Sequence, residues 1–120
     1  MQKRTHTIRT FQIHEPLMPI VEAWAKELGF VIEVDENKIL CEKGIGMMTS
    51  PVQVILEETD GNVKFEAFLK VDAITMFASL FMAPDEMHLE SGDGQLTMER
   101  KFGRDKVNKL LERLGQPLIK

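Results

Sequence analysis

The residues of this 120-residue chain that could do chemistry are three histidines, one cysteine, several paired carboxylates and a cluster of arginines and lysines. His6 and His14 fall in or beside one extended segment, too far apart along it to share a metal directly, and His88 is remote in sequence. No His-x-x-x-His, Cys-x-x-Cys or Asp-x-Asp-x-Asp spacing occurs, so a metal site would need His14, Glu15 and a distant acid to converge. Cys41 has Leu40 and Glu42 as neighbours, which supply neither a base nor a positive field, so it is expected to be a buried structural thiol rather than a nucleophile. The pairs Asp35–Glu36, Glu57–Glu58 and Asp85–Glu86 are adjacent in sequence, and adjacent strand residues face opposite ways, so Glu57 and Glu58 cannot work as an acid/base couple. Gly44–Ile45–Gly46 and Gly92–Asp93–Gly94 do not join a strand to an immediate helix, as a phosphate-binding loop would. No residue is assigned a catalytic, cofactor-binding or metal-binding role, and no cofactor is expected.

Two groups of residues are better candidates for binding. Arg100, Lys101 and Arg104, with Lys106 beyond them, cluster at the expected start of the last helix, where cations and exposed backbone N–H groups suit an anion. Met47 and Met48 follow a glycine-rich bend, and Phe77, Phe81 and Met82 crowd a segment that is apolar around much of its girth. More apolar surface than one sheet face can cover implies a partner subunit, a ligand or flanking segments over it, and methionine suits adaptable contacts. These five residues are the candidate interface. The bland alternative is a core helix covered by residues 84–99.

The elements that must position these residues follow from periodicity. Residues 5–13 are rich in β-branched and aromatic types and read as a strand ending at His14–Glu15–Pro16. Leu17, Ile20, Val21, Trp24 and Leu28 recur at helical spacing, Pro19 is tolerable only in the first turn, and Gly29 supplies a left-handed stop. Residues 30–35 and 39–42 alternate as strands about the turn at residues 35–38. Residues 52–58 and 63–70 form a hairpin signalled by Asp60–Gly61. Asp72 can cap a helix over 73–82, stopped by Pro84. Residues 88–90 and 95–99 read as two short strands, and Asp105 can cap a last helix through Leu114, with Gly115 and Pro117 ending it. The expected fold is α+β: a single antiparallel β-sheet of about five strands, in the order β-α-β-β-β-β-α-(β-β)-α, with helices packed on one face.

Composition bounds the rest. The length, with 43% hydrophobic and 28% charged residues, describes one soluble domain over residues 1–120 and excludes intrinsic disorder. No apolar run approaches the roughly 20 residues of a membrane span. One cysteine excludes an internal disulfide, and with no apolar leader at the N-terminus it points to the cytoplasm. The net charge of −4 argues against a nucleic-acid binder, although Lys3, Arg4 and Arg9 and the stretch from Arg100 onward make both ends basic around an acidic middle.

From Ile20 to Leu69 the layout is familiar. A helix ends in Lys26–Glu27–Leu28–Gly29–Phe30, a hairpin turns at Val34–Asp35–Glu36–Asn37, and a second acidic hairpin carries Glu57–Glu58–Thr59–Asp60–Gly61 before an apolar helix. This resembles the YbjN-like and type III secretion-chaperone-like domains, small acidic α+β proteins. The strand at residues 5–13 and a fourth strand before the second helix depart from their order; the β-α-β4-α layout is also similar to a small uncharacterised cyanobacterial family. The first resemblance implies a protein-binding dimer; neither brings catalytic residues. No motif fixes a reaction. The expectation is therefore a non-enzymatic protein-binding or chaperone-like module acting as a homodimer. The alternative is a small-molecule or anion-binding domain with a pocket between sheet and helices.

Overall fold

The computed structural model describes residues 6–44, 51–70, 86–87, 89 and 97–120. Strand β1 (Thr7–Gln12) is followed by helix α1 (Leu17–Leu28) and then by four strands in succession: β2 (Val31–Asp35), β3 (Lys38–Gly44), β4 (Pro51–Thr59) and β5 (Asn62–Lys70). A two-residue strand, β6 (Glu86–Met87), and the helix α2 (Thr97–Arg113) complete the described elements. The strands form one antiparallel sheet in the order β1-β5-β4-β3-β2, with β6 continuing beyond β1 along β5. The class is α+β, with both helices on one face of the sheet.

Local chemistry explains the boundaries. The two-residue turn between β4 and β5 holds Asp60 at φ 50° and Gly61 at φ 82°, the left-handed pair that a type I′ turn requires and that Asp-Gly supplies. The β2–β3 turn at Glu36–Asn37 is tied to the next strand, because the Asn37 amide donates to the carbonyl of Glu58 and the hydroxyl of Thr59 at 3.3 Å each. Helix α1 ends as its sequence requires, with Gly29 at φ 81° and its N–H donating to the carbonyl of Ala25. Helix α2 ends in a Schellman motif about Gly115: Gln116 N donates to Leu111 O and Gly115 N to Glu112 O.

The core lies between the helices and the inward face of the sheet. Leu17, Val21 and Trp24 of α1 and Val107, Leu110 and Leu111 of α2 pack against Cys41, Val54, Leu56, Phe65 and Ala67. Trp24 joins the two helices, donating from Nε1 to the carbonyl of Lys106 at 2.9 Å while its ring lies 4.2 Å from that of Phe30. Ile119 returns to the core beyond α2, held from both sides by the Asn108 amide.

The C-terminal third differs from the sequence expectation. The helix begins at Thr97 rather than at Asp105, so Asp105 is an exposed residue inside α2 and not its cap. Residues 97–99 are helical, not extended, and the short strand falls at 86–87 instead of 88–90, with Leu89 outside any strand. The reason is the buried stripe of α2. Its first turns bury Arg100 and Gly103, residue types that carry no hydrophobic period, so the pattern becomes visible only from Val107 onward. The expected helix over 73–82 lies outside the described residues.

Candidate functional site

The face of the sheet turned away from the helices is the candidate site. Alternation along each strand puts the even residues of β1 and β5 and the odd residues of β4 on it, together with Leu40 and Glu42 of β3 and Val31 and Glu33 of β2. In register, Ile8 stands opposite Glu66, Glu66 opposite Ile55, Ile55 opposite Leu40 and Leu40 opposite Glu33. In the adjacent row Phe68 stands opposite Gln53, Gln53 opposite Glu42 and Glu42 opposite Val31. Diagonal neighbours lie within side-chain reach. Ile8, Phe68, Ile55, Leu40 and Val31 therefore form a zigzag apolar track across all five long strands. Its two ends are the most open, with Ile8 45% and Val31 68% exposed on the outer strands; Ile55 and Leu40 are half-buried, and Phe68, beneath the ring of His6, is only 2% exposed.

One end of the track is organised by an imidazole. The ring of His6 lies flat on Phe68, with centroids 4.0 Å apart and planes 8° from parallel. Its Nδ1 is 2.9 Å from Oε2 of Glu66, whose other oxygen is 3.0 Å from Nζ of Lys64. The hydrogen bond with His6 is the main cause holding the Glu66 carboxyl below its ordinary value of 4.5; Lys64 adds to it and partial burial opposes it. At the turn end of β4 and β5 the same face carries a cleft of about 410 Å³, with Thr10, Gln12, Glu57, Asn62 and Lys64 in its walls.

The residues singled out from sequence are placed as follows. Arg100 is 2% exposed and Lys101 is exposed. Arg104 is half-buried and donates from Nη1 to the carbonyl of Leu89 at 3.1 Å. Positions 100 and 104 share a helix face while 101 is turned about 100° away. Arg104 and Thr7 together fix Leu89, since the Thr7 hydroxyl accepts from the Leu89 N–H at 3.0 Å. Cys41 is buried and its thiol is pushed up to about 12 by that burial, which makes it a packing residue. His14 is exposed. Met47, Met48, Phe77, Phe81, Met82 and His88 lie outside the described residues. Among the described residues, no three His, Cys, Asp or Glu side chains group to hold a metal, and no helix is long and apolar enough to cross a membrane.

Sequence reasoning missed the apolar track. The signal was three consecutive apolar residues in four places: Phe30–Val31–Ile32, Ile39–Leu40–Cys41, Val54–Ile55–Leu56 and Ala67–Phe68–Leu69. In each, the middle residue must face away from the core. Register alone showed that the four middle residues and Ile8 line up. Comparison with family models, with curated proteins and with solved structures gives no match to this chain.

Proposed function

We propose that this domain is a non-enzymatic, chaperone-like protein-binding module of the cytoplasm, that it acts as a homodimer, and that it receives its partner on the open face of the sheet. The observation that carries the reading is the apolar track across five strands, with its ends exposed and polar residues on both sides. An apolar centre with a polar rim is the anatomy of a protein interface. The track lies on a rigid hydrogen-bonded sheet, so binding orders little of the domain itself. Pairing of two copies is supported from sequence alone, by the apolar surplus at Phe77, Phe81 and Met82.

The test is selection of peptides from a displayed random library on the wild-type domain, with counter-screening on Ile8→Thr/Val31→Thr. Threonine keeps the β-branched shape of both positions and removes apolar surface. Peptides that bind the wild type and lose the double variant, with the melting temperature kept, are the expected result. Peptides that bind both equally place the interface elsewhere. A library that yields no binder removes the reading.

A further inference from the structure

The charges along the track select among possible partners. Glu33, Glu42 and Glu66 alternate with its apolar residues in the two central rows, and Asp35 and Glu57 follow in the next row. Two of these carboxylates are matched by lysines, Lys38 Nζ being 3.9 Å from Glu57 and Lys64 Nζ 3.0 Å from Glu66, which leaves Glu33, Asp35 and Glu42 as the excess negative charge of these rows. The surface is thus apolar along its centre and net acidic around it. A second copy docking face to face would set carboxylates against carboxylates, and an anionic polymer would be repelled.

The dimensions add to this. Crossing five strands takes four inter-strand steps, about 19 Å in all. An α-helix of about thirteen residues spans that length, and its side chains recur each turn at about 5.4 Å, close to the spacing between strands. We infer that the open face receives a cationic amphipathic helix of a partner protein, its apolar stripe on the accessible members of the track, Ile8, Ile55, Leu40 and Val31, and its lysines or arginines against the flanking carboxylates. This inference rests on the open face being the docking surface proposed above.

The experiment uses the full chain and three synthetic helical peptides sharing one apolar stripe, with flanks of lysine, glutamine or glutamate, titrated by fluorescence anisotropy. The lysine peptide is expected to bind at least about tenfold tighter than the glutamate peptide. Raising salt from about 0.05 M to about 0.5 M should cut that preference several-fold. The variant Glu33→Gln/Glu42→Gln should shrink it at constant salt, and Ile8→Thr/Val31→Thr should abolish binding of all three peptides. Equal binding of the three, or preference for glutamate, with binding still lost in Ile8→Thr/Val31→Thr, overturns the cationic partner and leaves the docking surface standing. No binding, or binding indifferent to Ile8→Thr/Val31→Thr, overturns both. A dimer in the wild type that Ile8→Thr/Val31→Thr makes monomeric would assign the face to a second copy and overturn the inference. If the double variant loses its cooperative melt, the single Val31→Thr change at the most open position replaces it.

Discussion

His6 lies flat on Phe68 and shares Glu66 with Lys64, so His6, Glu66 and Lys64 act as one electrostatic unit on this face. Its stability has a definite pH dependence. The carboxyl of Glu66 is held below its ordinary value, so its contribution is fully present above pH 4.5 and is lost as the pH falls through the depressed value. Glu66→Gln is expected to cost about 1 kcal/mol near neutrality, and the gap from wild type should close in acid. Urea midpoints of both proteins across that range check this; a gap that stays constant in acid would mean that the carboxylate charge plays no part. Arg104 gives a different lesson at this scale. A candidate anion ligand by sequence, it also holds the carbonyl of Leu89 and so has a structural task within the chain.

At the scale of elements, α2 comes close to the sheet at Gly103. A Cβ added there would come within 2.7 Å of Val52 Cγ2 and 3.2 Å of Leu89 Cδ2. Both neighbours are fully buried and have no room to retreat. Gly103→Ala is therefore expected to destabilise the protein by about 1 kcal/mol or more, despite the better helix propensity of alanine. A urea midpoint that rises instead would mean that the helix stands further from the sheet. The same contact explains why the start of α2 was hidden: a glycine chosen for closeness reads in sequence as a break.

For the whole molecule, the sheet is a meander from β2 to β5 closed by β1, whose pairing with β5 joins residues 50 to 60 positions apart. One face is sealed by two helices and the other carries the apolar track. The proposed dimer belongs to this scale. Light scattering over a range of concentrations is expected to give twice the chain mass, and Phe81→Asp to give one chain mass with the far-ultraviolet spectrum unchanged. A wild type that stays at one chain mass throughout would remove the dimer, and a Phe81→Asp protein that fails to fold would make Phe81 a core residue.

The sequence by itself determined the elements whose causes are local. The α1 stripe from Leu17 to Leu28 with its Gly29 stop, the hairpin at Asp60–Gly61 and the alternation of β2 to β5 all stand where periodicity and turn chemistry put them. Each depends on residues within one turn or one strand, so a short window contains its whole cause. The α+β class followed from their order. Tertiary structure alone decided where α2 begins, because its first turns are shaped by contact with Val52 and Leu89 rather than by a hydrophobic period. It alone brought His6 to Glu66, and it alone aligned Ile8, Phe68, Ile55, Leu40 and Val31. Those relations depend on strand register, which is set by pairing between distant segments and which no local window carries.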